Sequence, residues 1–148
     1  MTPADLLTFV RRSKLAVVST TSSTGAPQAA VVGIAVTDAL EIVFDTLETS
    51  RKAVNLRRDA RIALVIGWDE EQTVQCEGIA DEPAGAELER IKAVYIATFP
   101  DGVARQSWPG LTYFRVRLRW ARYSDFRTPD SMIVELGELA LSTVGGES

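Results

Sequence analysis

Three observations predict a mainly β fold, a small closed barrel of six antiparallel strands with short helices at its edges. Short β-branched apolar runs recur along the chain and are separated by turn residues, not by long helical crossovers. The helical segments do not alternate strictly with strands, and no G-x-G-x-x-G follows the first of them, so a dinucleotide-binding α/β unit fits poorly. An antiparallel set of this size leaves few exposed edges when it closes on itself.

Each element has a local cause. Thr2 can cap a helix that has Pro3 at its first position and Asp5 in its first turn, with Leu6, Phe9 and Val10 on one apolar stripe. Residues 15–19 form a β-rich run, residues 22–27 supply turn residues, and residues 28–36 form a second apolar run, which together predict a hairpin. Asp38 and Ala39 make the next turn, and residues 40–44 bring the chain back antiparallel. A helix over residues 50–58 follows. Then come a strand at 61–66, an acidic turn from Trp68 to Glu71 and a strand at 73–80. Residues 81–83 open a helix whose Leu88, Ile91, Val94 and Tyr95 share a face, and the loop around Pro100, Gly102, Pro109 and Gly110 ends it. The last strand, 113–123, alternates: Phe114, Val116, Leu118 and Trp120 are expected inside, Arg115, Arg117 and Arg119 outside. Residues 128–141 are expected to dock as an irregular or short helical tail, and Gly145 with Gly146 as a frayed end, so the chain divides into a barrel domain at 1–127 and a tail at 128–148.

Composition excludes several chemistries. The 148 residues suffice for one continuous core without disulfides or structural metal. Histidine is absent and Cys76 is the single cysteine, which removes Cys/His zinc sites, a Ser-His-Asp triad and disulfide staples together. Cys76 lies within a strand and reads as core filling. The formal charge of −4 argues against general nucleic-acid binding. No signal-like or membrane-length apolar run occurs, so a cytoplasmic protein with no membrane association is expected.

The most informative stretch is residues 44–56, a strand, a tight turn and a helix with Arg51 and Lys52 in its first turn. The positive end of a helix dipole favours acidic or hydroxyl residues, so two cations there repel it. A phosphate held by the free amides, the Thr49 or Ser50 hydroxyl and both side chains would remove the conflict. The alternative is that both side chains simply extend into solvent.

Taken in order, residues 15–19, 25–27, 43–46, 50–52, Asn55 with Leu56, 61–65, Trp68 and 73–80 resemble the pyridoxamine 5′-phosphate oxidase-like family of FMN-binding split β-barrels. The similarity covers residues 5–126, with 120–126 resembling the closing strand of the smaller members. The resemblance implies that Ser50, Arg51 and Lys52 grip the flavin phosphate, and that Asp45 and Thr46 meet the ribityl chain or ring edge, Thr46 being the better candidate because a hydroxyl both donates and accepts. It implies that Ala30, Val31, Val32 and Gly33 line the isoalloxazine with backbone groups, their small side chains allowing close approach. Thr73 stands where larger members place Gln, and would reach the cofactor of a partner subunit. There are departures. Ala30 and Ala35 replace basic residues, Ser124 replaces an aromatic, and the histidine that grips pyridoxal phosphate is missing, so true pyridoxamine phosphate oxidase activity is not expected.

The resulting expectation is an FMN-dependent oxidoreductase, a homodimer with cofactor at the interface, acting on a small-molecule substrate by hydride transfer through flavin N5 with no catalytic side chain and no metal. The same scaffold could carry a deazaflavin coenzyme, act as a non-enzymatic flavin-binding or stress-associated protein, or serve as an empty interaction module. Other candidates read as structural. Arg115, Arg117 and Arg119 form a solvated face or a subunit contact. Trp68, Trp108 and Trp120 could each stack on a flavin or equally pack in the core or an interface, with Trp120 internal by parity and Trp108, in a Pro/Gly loop, the candidate for a mobile lid. Asp69, Glu70 and Glu71 make a charged turn.

Overall fold

The computed structural model describes residues 1–142. Its strands are β1 (Leu15–Thr21), β2 (Pro27–Gly33), β3 (Ala35–Val36), β4 (Ile42–Leu47), β5 (Arg61–Ile66), β6 (Gln72–Asp81), β7 (Leu111–Asp125) and β8 (Met132–Gly137). They form one antiparallel sheet in the order β2-β1-β5-β6-β7-β4-β3, with β8 also on β7. The second apolar run, expected as one strand, breaks at Ile34. Its first part pairs with β1 and its last two residues pair with β4, Ala35 opposite Val43 and Val36 opposite Ile42. One stretch of chain thus belongs to both ends of the sheet, which curls round without closing fully: a split barrel.

The core lies inside the curl. Ala16, Val18, Ile42, Phe44, Leu64, Ile66, Val74 and Phe114 are all buried there, with Phe44 stacked on Phe114 at 5.6 Å between ring centroids. Helix α1 (Pro3–Arg12) covers one end through Leu6, Phe9 and Val10, and its start is the expected one: Thr2 and Asp5 form a reciprocal capping box with Pro3 in the first turn. Cys76 is core filling, as anticipated.

Four expectations for the second half change. A bulge between Glu77 and Gly78 sets Arg119 as the extra residue of β7, so the alternation switches there. Leu118, Ala121 and Tyr123 point inward, while Trp120 turns to the outer face under the Arg122 guanidinium, 5.5 Å from its ring. Arg117 and Arg119 are exposed, but Arg115 is 5% exposed, covered by helix α3 (Gly85–Thr98). It donates to Asp81 at 3.0 and 2.7 Å and to Glu87 at 2.7 Å. The tail, expected as irregular or short helical, begins instead as β8, which pairs residues 132–137 with β7, and ends in the short helix α5 (Glu138–Leu141), whose Leu141 reaches the core. Gly145 and Gly146 lie outside the described residues. Helix α3 also starts later than expected, because Asp81 completes β6 and Glu82 is held by Arg57 and Thr112.

Helix α3 lies on the outer face of β3, β4 and β7, where Ile91 and Tyr95 join Ala35, Val43 and Tyr113 in a second apolar cluster apart from the main core. A single turn, α4 (Gly102–Arg105), follows it.

Candidate functional site

Helix α2 (Arg51–Arg58) begins directly after β4. Ser50 is its cap: the hydroxyl oxygen accepts from the Ala53 amide at 3.2 Å and from Thr46 Oγ1 at 2.9 Å. Both lone pairs are then used, and the Ser50 proton is free to donate outward. The first turn contains no acidic residue. Among the described residues, neither the Arg51 nor the Lys52 side chain has a hydrogen-bond or ion-pair partner. Burial lowers the pKa of Lys52, the direction expected for an ammonium losing water without gaining an anion. At the other end, Arg57 pairs with Glu82 at 2.7 Å and Arg58 donates to the Thr21 carbonyl, so the cations there are engaged. Asn55 orients the helix. Its Nδ2 donates to Thr20 Oγ1 at 3.0 Å on β1 and to Gln28 Oε1 at 2.9 Å on β2.

The four residues expected to line a ring lie on β2, which pairs with β1 on one side and has no strand on its other side from 27 to 33. Val31 is 60% exposed, Ala30 and Gly33 are half-buried and Val32 is buried. Helix α3 ties Gly33 to Asp45. The Tyr95 hydroxyl donates to Asp45 Oδ1 at 2.9 Å, and Phe99, one turn on, lies against Gly33. Asp45 also accepts from Arg105 Nε at 3.3 Å, so this carboxylate is engaged within the chain, whereas Thr46 is joined to Ser50. Burial and the Asp45 charge raise the pKa of Tyr95, which therefore stays a neutral donor.

One chain does not bring Thr73 to this place. It sits on β6, third along the sheet from β2, opposite Ser124. Its Oγ1 is buried and has no hydrogen-bond partner, a cost that turning toward a ligand or a second subunit would relieve. Sequence reasoning missed Tyr95, Phe99 and Arg105. Tyr95 registers only as a core-face residue, and nothing local signals that Phe99 meets Gly33 or that Arg105 meets Asp45.

The remaining candidates lie elsewhere. Burial pushes the Cys76 thiol up to about 12, so no thiolate is available there. Trp68 and Trp108 are exposed. No group of acidic, Cys or His residues among the described residues could hold a metal ion. No helix there is long and apolar enough to cross a membrane. The outer face of β1, β5 and β6 is open among the described residues. It holds a cavity of about 420 Å³ beside Ser19, Arg61, Ala63, Glu77 and Arg119, and an adjoining one of about 180 Å³ extends it to Val17, Val65 and Trp120.

Known proteins share this architecture. The family model described as pyridoxamine 5′-phosphate oxidase matches residues 2–125. Among solved structures, a heme binding protein from Mycobacterium smegmatis superposes with a TM-score of 0.82 at 16% identity, covering 97% of this chain and 61% of that one. The chain thus spans about three fifths of that protein. The conserved hypothetical protein Rv2991 from Mycobacterium tuberculosis matches with a TM-score of 0.72 at 27% identity over 86% of each chain. A protein from Clostridium acetobutylicum related to general stress protein 26 matches with a TM-score of 0.69 at 15% identity, over 94% of this chain and 96% of that one. A comparison with curated proteins finds no match.

Proposed function

Because this chain belongs to the pyridoxamine 5′-phosphate oxidase family, we propose that it binds FMN through Ser50, Arg51 and Lys52 and works as a flavin-dependent oxidoreductase on a small molecule. The observation that carries the reading is the pair of unpartnered cations at a helix start that has no acid in its first turn. A phosphate there accepts from the two side chains, from the Ser50 hydroxyl and from the first-turn amides, which have no intrahelical acceptor. Thr46 fixes the Ser50 rotamer, and Asn55 fixes the helix against β1 and β2. The open edge of β2 at Ala30, Val31 and Val32 offers backbone groups to a flat ring. When bound, FMN supplies hydride exchange at N5. The chain's residues then hold the phosphate, orient the ring and exclude water.

The same proposal includes a homodimer in the cytoplasm. Its support is the uncovered outer sheet face, where Val31, Val17 and Val65 lie in one cross-strand row, and the position of Thr73, too far along the sheet to serve its own chain's cradle. A deazaflavin coenzyme, with its longer tail, calls for more free cations. Arg57 and Arg58 of the same helix, and Arg105 on Asp45, all have partners, which favours FMN. A heme would find neither a histidine nor an accessible thiol for its iron, since the chain has no histidine and its one thiol is sealed in the core. A non-catalytic flavin-binding role would use the same residues and is separated by turnover with a nicotinamide donor.

Titration by flavin fluorescence quenching tests the cradle. Replacing Arg51 and Lys52 together by Ala is expected to cost FMN about 3 kcal/mol or more, from about 1.5–3 for each charged hydrogen bond. Riboflavin, which lacks the phosphate, keeps its affinity. An unchanged FMN dissociation constant overturns the assignment.

A further inference from the structure

Gly33 is the glycine of the proposed ring ledge, yet its outer face is taken. A Cβ built there would meet Phe99 Cζ at 3.0 Å and Cε1 and Cε2 at 3.4 Å, so the ring stands end-on over the glycine. Phe99 closes α3, its amide donating to the Tyr95 carbonyl at 2.8 Å, and its ring packs on Tyr95 with centroids 5.0 Å apart. Tyr95 is held in turn by Asp45, and Arg105 from α4 reaches both, at 3.3 Å to the carboxylate and 3.4 Å to the hydroxyl. Asp45 directly precedes Thr46, which bonds the cap of the phosphate cradle.

This assembly stands apart from the main core. It packs through the second, smaller apolar cluster, so it can shift without opening the main core. The Arg105 contacts are long, and a partly exposed pair of that length holds weakly. We propose that Phe99 is an internal plug at the ring end of the cofactor site, latched by Asp45, Tyr95 and Arg105, and that a planar nucleotide ring enters by displacing it. The inference rests on the flavin reading above. A ligand that carries a ring then meets an apparent affinity reduced by the small open fraction, while one that offers only a sugar phosphate does not.

Stopped-flow flavin fluorescence on the full chain tests this with Phe99→Ala and with Arg105→Gln, which keeps the aromatic and releases the latch should Phe99→Ala fold poorly. Both variants are expected to bind FMN about tenfold faster than the parent, while competition by ribose 5-phosphate stays unchanged. FMN binding at rates that neither variant raises overturns the plug and leaves the flavin site standing. FMN binding by none of the three proteins removes the flavin reading and the plug with it.

Discussion

Asn55 shows how one side chain can join parts that are far apart in the chain. Both protons of its amide are spent, on Thr20 and Gln28, and all three residues are largely sheltered from water. Asn55→Leu leaves two acceptors without a donor in a place water reaches poorly, so a loss of about 1–3 kcal/mol is expected in urea unfolding. A variant as stable as the parent would show that the bonds carry no net weight. Residue identity alone revealed some roles and concealed others. Thr2 and Asp5 are legible because a capping box is local in sequence, and Cys76 because an apolar thiol inside a strand belongs in the core. The cations of Arg51 and Lys52 are legible because a helix dipole makes them anomalous. Phe99 was not, since its meaning depends on Gly33, which only the folded chain sets beside it.

Among the elements, α3 adds a set of ion pairs to the apolar cluster that seats it on the sheet. Glu41 receives Arg90 at 2.9 and 3.2 Å and Thr37 at 2.9 Å; burial pushes its carboxyl up, but these donors and the Arg115 charge outweigh that and lower it. Glu87 is lowered as well, first by its hydrogen bond from Arg90 and also by Arg115. A carboxyl depressed on folding stabilises the fold above its unfolded pKa, about 4.3 for Glu, and that contribution drains away as the pH falls through the folded value. Hydrogen-exchange protection over residues 85–98 is therefore expected to drop below about pH 4 while β1, β5 and β6 remain protected. Simultaneous loss in helix and sheet would refute a separable clamp. The same clamp explains why Arg115 defeats a reading from strand parity. Alternation correctly turns it away from the barrel interior, but cannot tell that a helix lies over that face. Trp120 fails for a different reason, because a single extra residue at Arg119 inverts every position after it. The tail strand β8 is short and bounded by charges, and its strand character comes from pairing with β7 more than from its own pattern.

For the molecule as a whole, the sheet face outside the curl is the surface on which the proposed dimer rests. Val31 is 60% exposed and Leu15 49%, on the same face as the two adjoining cavities. The exposed apolar side chains of this face are better buried than wet. Light scattering is expected to give twice the chain mass, and Val65→Glu, which sets a charge in the middle of that face, to give a folded monomer. A parent protein that runs as a monomer would end the shared-site proposal. The barrel itself was legible from the spacing of the runs and its split from the family resemblance, whereas the break at Ile34 that makes the split leaves no mark in the hydropathy. That break has a mechanical corollary. Since residues 27–36 serve as the first and the last stave of the same cask, a guest wedged between β2 and the start of α2 acts as a hoop, tightening the whole wall and not merely the spot it touches.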